Sequence, residues 1–171
     1  MYKTIPVLML LFLIPVRLTA QDLNRAIPDP KTGEDMLCGY CDRDGLSEGS
    51  FREWFQPEYE QYLVDHVKLS SLNQDLFLIS DITVVMGTWC SDSRREVPRF
   101  IKIIDELGAE VNAINLICVD RAKNADVPDM AELQIELVPT IIFYLQGDEL
   151  GRITETPHES LESDMVQIFN Q

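Results

Sequence analysis

Apolar and polar residues fall in blocks along this chain, and each block predicts an element. Ile82 to Met86 is a short β-branched run without helical polarity, which predicts a strand buried on both faces and ended by Gly87 and Thr88. From Ser91 to Leu107 the residues Val97, Phe100, Ile101, Ile104 and Leu107 recur at helical spacing, with Gly108 as a stop. Ala113 to Val119 predicts a second buried strand. Val127 to Leu137 predicts a short helix entered through Pro128, which has no N–H to lose in a first turn. Ile141 to Leu145 and Glu149 to Thr154 flank Gln146-Gly147-Asp148, a hairpin signal, and Ser160 to Phe169 closes the chain as a helix. Upstream, Tyr59, Tyr62, Leu63, His66, Val67 and Leu69 place an amphipathic helix over Glu58 to Leu72, just after Pro57.

This order predicts an α/β domain, a central mixed sheet with helices on both faces, over residues 50–171. Phe51, Trp54, Phe55, Tyr59 and Tyr62 read as core rather than as a peptide-binding patch, with His66 at the edge of their face. Residues 21–49 are polar and punctuated by Pro28, Pro30, Gly33, Gly39, Gly45 and Gly49, too closely for a long element, and read as an irregular lead-in. A chain of 171 residues with 46% hydrophobic residues suits one packed domain and excludes a disordered or collagen-like one.

Residues 1–20 carry Lys3, an apolar run from Ile5 to Val16 and a small Ala20, the layout of a cleavable secretory signal. The run is too short for a spanning helix, so no stable membrane span is expected after cleavage. The expected location is the periplasm or another exported compartment, where disulfides persist. The net charge is −15, and loss of Lys3 and Arg17 takes the mature chain to −17, which disfavours nucleic acid and anionic lipid as partners.

The chemistry concentrates at Thr88-Trp89-Cys90-Ser91-Asp92-Ser93, where a buried strand gives way to a helix. A cysteine there lies near unpaired N–H groups and the positive end of the helix dipole, which favours thiolate. Asp92 opposes that charge and Arg94 and Arg95 support it. Cys38-Gly39-Tyr40-Cys41 is the one complete C-x-x-C. It could supply a resolving thiol for Cys90 or close a small structural disulfide. With His66 and His158 at unsuitable spacing, no metal site is expected. Cys118, in a buried strand, reads as core packing.

The run Trp89-Cys90-Ser91-Asp92-Ser93-Arg94-Arg95-Glu96-Val97-Pro98 resembles the thioredoxin superfamily, and within it the exported bacterial TlpA and ResA type, whose motif is W-C-x-x-C-[KR]-x-E-x-P. Ser93 stands where those proteins have the second cysteine. Val138-Pro139-Thr140 is similar to the loop that carries the family's cis-proline, so the resemblance runs from about Ile82 to Phe169. It implies a thioredoxin-like fold, Cys90, Ser93 and Glu96 at the reacting centre, and a partner groove formed by Trp89, Val138, Pro139 and Thr140. Val84 stands where ordinary thioredoxins carry a buried aspartate, whereas Glu96 matches the glutamate of the ResA-like motif. Glu96 is then either a proton carrier or simply an acid favoured early in a helix.

A thiolate at Cys90 can attack a disulfide and form a mixed disulfide, but a hydroxyl at Ser93 cannot release it. The reading is therefore a monothiol oxidoreductase or isomerase. It acts on cysteines or disulfides of exported proteins, relies on an external thiol reductant and calls for no cofactor. A non-catalytic thioredoxin-fold binding module is the second reading. A thiol peroxidase comes last, because Thr83, Val84 and Gly87 do not match the P-x-x-x-[ST]-x-x-C setting of peroxiredoxins.

Overall fold

The computed structural model describes residues 23–108 and 114–171. The expected signal segment lies outside these residues. Among the described residues, no helix is long and apolar enough to cross a membrane.

The N-terminal arm is a chain of very short elements. Strands β1 (Ala26–Pro28) and β2 (Asp35–Leu37) form their own antiparallel hairpin, and β3 (Gly39–Cys41) leaves it to join the main sheet. Helix α1 (Arg43–Leu46) follows, capped by the Asp42 carboxylate on the Gly45 N–H at 2.9 Å. Proline and glycine hold each element to three or four residues, yet Met36, Leu37, Cys38, Cys41 and Leu46 are buried, so the arm is docked on the domain. The strand at 39–41 has no apolar alternation to announce it.

Helix α2 (Arg52–Gln61) precedes α3 (His66–Leu69) and α4 (Gln74–Leu78). The single helix expected over 58–72 is thus divided. It begins earlier, with Pro57 inside α2, and it breaks at Tyr62, whose backbone is extended. The cause is a buried acid. Glu162 accepts the Tyr62 hydroxyl at 2.9 Å and the Asp65 N–H at 3.1 Å, and Asp65 itself caps α3 by accepting from the Lys68 N–H. Leu63 and Val67, expected on the apolar face, consequently point to solvent at 87% and 83% exposure.

Strand β4 (Asp81–Met86), helix α5 (Ser91–Glu106) and strand β5 (Ile114–Cys118) form the crossover unit that the pattern predicts, with Ala113 outside the described residues. Strands β6 (Thr140–Leu145) and β7 (Asp148–Thr154) turn through Gln146 and Gly147, both at positive φ, as a two-residue hairpin requires. Helix α6 (Leu161–Phe169) ends the fold, its N-terminus capped by Ser160. The sheet order is β3-β5-β4-β6-β7, with β4 parallel to β5 and all other pairs antiparallel.

Alternation along β4 sorts two cores. Ile82, Val84 and Met86 face the larger one, where α2, α5 and α6 pack and Phe77, Phe169, Phe143 and Phe100 meet edge to face in a chain, centroids 5.2–6.0 Å apart. Val85 faces a smaller one with Ile117, Val119 and Val138. That second face is not covered by the helix expected over 127–137. A single 3-10 turn, Met130–Leu133, sits between Asp129 and Gln134, both left-handed, a conformation a continuing helix does not permit. Val127, Met130 and Leu133 still reach the sheet from this irregular segment.

Glu162→Ala leaves the half-buried Tyr62 hydroxyl and the Asp65 N–H without their acceptor. It is expected to lower unfolding free energy by about 2 kcal/mol in urea denaturation, with Glu162→Gln losing less.

Candidate active site

β4 ends with both its neighbours still paired, so the chain must leave the sheet at Gly87. The Gly87 N–H is taken by the Ser93 hydroxyl at 3.2 Å, and Thr88, 1% exposed, accepts the Leu37 N–H of the arm on its side-chain oxygen at 3.1 Å. Trp89 then lies over Gly87 so closely that a Cβ there would come within 2.6 Å of the indole, so only glycine fits. Cys90 is the N-cap of α5, in extended conformation, and the helix runs away from it.

Antiparallel pairing of β6 with β4, with Val85 opposite Thr140, brings the loop before β6 to this same end of the sheet. The Val138–Pro139 peptide bond is cis. The Cys90 thiol donates to the Val138 carbonyl at 3.2 Å, which puts the sulfur directly against the loop. The Thr140 hydroxyl donates to the Leu137 carbonyl at 2.8 Å and the Glu155 N–H to the Pro139 carbonyl at 2.7 Å, bracing the loop on both sides. Trp89 and Cys90 are half-buried, and Val138, Pro139 and Thr140 are buried.

Ser93 is fully buried and its hydroxyl faces Gly87, with no hydrogen bond to the Cys90 sulfur. Glu96 is 5% exposed, and its carboxylate pairs with Arg95 at 2.6 Å and with Arg99 at 4.0 Å rather than with Cys90 or Ser93. Asp92 is matched by Arg95 at 2.8 Å, and the Arg94 guanidinium donates to the Thr88 carbonyl and lies 5.7 Å from the Trp54 ring. The flanking charges are thus committed to one another and to backbone.

All four cysteines are free in this structure. Their sulfurs turn to different neighbours. Cys38 donates to the Asn124 carbonyl at 3.7 Å, whereas Cys41 lies in the larger core with Cys118. Burial pushes the Cys38 thiol up, and burial together with the adjacent Cys41 pushes Cys118 well up. Among the described residues, no group of three or more His, Cys, Asp or Glu is arranged to hold a metal ion.

Two residues without any sequence signal complete the rim. Arg121, just past β5, lies 5.0 Å over the Trp89 ring, and Asp29, in the β1–β2 turn, grips it with 2.6 and 2.7 Å bonds. They are 92 positions apart, and each reads in the sequence as an ordinary loop charge.

A free cysteine capping the helix after the central strand, held against a cis-proline loop, belongs to a thioredoxin-type fold. The chain matches the Thioredoxin family over residues 58–167, more than half its length, and it belongs to that family. No curated protein matches it significantly. Among solved structures it is similar to a protein of unknown function from Pseudomonas aeruginosa (16% identity, 70% of this chain and 81% of that one, TM-score 0.47). It is also similar to oxidised thioredoxin O2 of Arabidopsis thaliana (18% identity, 61% and 85%, TM-score 0.40) and to Fasciola hepatica thioredoxin (18% identity, 52% and 79%, TM-score 0.38). Membership suggests thiol-disulfide oxidoreductase-like chemistry.

Because three of the four thiols are buried, titration of the native protein with an aromatic disulfide reagent is expected to show one fast-reacting thiol, and Cys90→Ala is expected to remove it. The other three should react only on unfolding.

Proposed function

We propose that this chain is an exported monothiol exchange protein of the TlpA and ResA type, which engages cysteines of other exported proteins through Cys90. The observation that carries the reading is the Cys90 sulfur itself. It is the one thiol of the four that is not buried, and it sits 3.2 Å from the Val138 carbonyl at the cis-proline loop. An extended partner segment lying along Val138 would bring its disulfide to that sulfur, in the manner of an added strand.

The step is an in-line exchange. Deprotonated Cys90 sulfur attacks one sulfur of the partner's disulfide, a Cys90–partner bond forms, the original sulfur–sulfur bond breaks, and the departing thiolate takes up a proton from water. An external thiol then attacks the mixed disulfide and regenerates Cys90, so no cofactor enters. Ser93 has no part in release, since its hydroxyl is a poor nucleophile and is directed at the Gly87 N–H. Glu96 lies on the following turn, paired with Arg95, and acts as a proton carrier only if that pair opens.

The chain without residues 1–20, mixed with a disulfide-bonded peptide, is expected to give an adduct by intact mass that is absent in Cys90→Ala. No adduct with any disulfide would favour the binding-module reading, and rapid peroxide consumption through a sulfenic acid would favour the peroxidase. The adduct should persist until a small thiol is added, and Cys38→Ser should leave its lifetime unchanged.

Ser93→Cys places a thiol one helical turn past Cys90 and is expected to turn negligible insulin reduction into measurable reduction. An inert double-cysteine variant that folds would mean that the groove does not accept a disulfide.

A further inference from the structure

Within the N-terminal arm, the β1–β2 hairpin forms a sheet of its own, and only β3 pairs with the main sheet. Yet the arm's tethers converge on the residues just before Cys90. The Leu37 N–H bonds to the Thr88 side chain, and Asp29 binds the arginine that lies over Trp89. Asp29 is 4% exposed and fully committed: besides both Arg121 bonds, it accepts the Lys31 N–H at 2.9 Å and the Thr32 hydroxyl at 3.1 Å. The Arg121 guanidinium holds the Asp29 carboxyl well below the usual carboxylate range, so the pair stays ionised under all ordinary conditions.

The indole is held from several directions. Gly87 gives it a bed that a Cβ would fill, its Nε1–H donates to the Val119 carbonyl at 2.9 Å, and the Arg121 guanidinium covers it. Val119 lies two residues before Arg121, so both contacts come from one stretch of chain. A free arginine on a flexible loop would spend little time over one ring. The two-pronged salt bridge to a buried carboxylate in a tight turn supplies the fixed orientation.

We propose that Asp29 and Arg121 are positioning residues: the arm uses them to clamp the Trp89 indole beside Cys90 and so sets the shape of the groove in which a disulfide-bearing partner docks. The proposal rests on the exchange reading above for the partner's chemistry, but the clamp itself is a statement about Trp89. Its action is on binding rather than on the sulfur, because neither residue hydrogen-bonds to Cys90. A clamp that only fastened the hairpin would leave the indole unchanged when the guanidinium is removed.

The test uses the chain without residues 1–20 and the variants Asp29→Asn, Arg121→Gln and Arg121→Lys. Two indole N–H resonances, from Trp54 and Trp89, are assigned with Trp54→Phe. In Asp29→Asn and Arg121→Gln the Trp89 resonance is expected to shift and its hydrogen exchange to speed up about tenfold, while Trp54 reports an intact fold. Arg121→Lys, which keeps the charge but not the planar fork, should behave like Arg121→Gln. With a disulfide-bonded peptide, half-saturation should rise several-fold while the saturating rate of adduct formation and the rate with iodoacetamide stay near those of the parent. An unmoved Trp89 resonance, full rescue by lysine, or a loss confined to the saturating rate each overturns the clamp. If the parent chain forms no adduct with any disulfide, the exchange reading has failed, and the indole measurements still decide the clamp.

Discussion

β4 is hydrogen-bonded along both edges and buried on both faces, so it has one way out, past its C-terminal end. Everything chemical in the protein follows from how that exit is made. The chain leaves through Gly87, whose N–H must find an acceptor away from any strand and finds it in Ser93 of the helix that follows. This ties the end of the strand to the first turn of α5 and leaves Cys90 at the cap between them. Because β6 runs antiparallel to β4 in a register that sets Thr140 beside Val85, the residues just ahead of β6 arrive at the same end. The meeting of sulfur and cis-proline loop is thus a consequence of one strand's position and one register.

The site lies where the two cores meet. Helix α5 is anchored in the larger core by Val97, Phe100, Ile101 and Ile104, none more than 3% exposed, which makes the helix a rigid mount. Trp89 and Cys90 instead pack against the smaller cluster, whose cover is an irregular segment with left-handed residues at Asp129 and Gln134. Regular backbone fixes the sulfur, and loop backbone shapes what stands opposite it. The ion pairs nearby belong to this division. Arg95 with Asp92, and Arg99 with Glu58, lie at partly exposed positions where a pair adds little to stability, and Arg95 also pairs with the buried Glu96 carboxylate. What they do is occupy the charges around the helix start, so that the thiol meets backbone at Val138 rather than a charged side chain.

The fold was legible where burial is two-sided or strongly periodic. β4, α5, the β6–β7 hairpin and α6 all lie within a residue or two of the bounds that their apolar spacing predicts, because in each the same residues that define the pattern pack the core. It was illegible where a distant residue decides. The break at Tyr62 depends on Glu162, 100 positions away, and nothing local distinguishes it from a continuing helix. Val127, Met130 and Leu133 have helical spacing, yet they reach the sheet from loop geometry. The strand at 39–41 forms because β5 offers it an edge. At the site, Cys90, Trp89 and Val138-Pro139-Thr140 stood out through their sequence motif and are brought together, whereas Asp29 and Arg121 carry no motif and acquire meaning only through the Trp89 ring between strand and arm.

The four sulfurs lie in different surroundings, and only Cys90 is partly exposed. The arm carries the only complete C-x-x-C, and it docks beside the active end of the sheet, which would suit a supply of resolving thiol. Its geometry works against that use. Cys38 is buried with its sulfur on the Asn124 carbonyl, Cys41 is turned into the larger core beside Cys118, and burial raises the cost of ionising Cys38 and Cys118. Swinging either arm sulfur to Cys90 would strip buried apolar contacts and the Leu37–Thr88 bond in the same motion. In this arrangement the arm meets the site through the Leu37–Thr88 bond and the Asp29–Arg121 pair, while its two sulfurs stay packed away from Cys90.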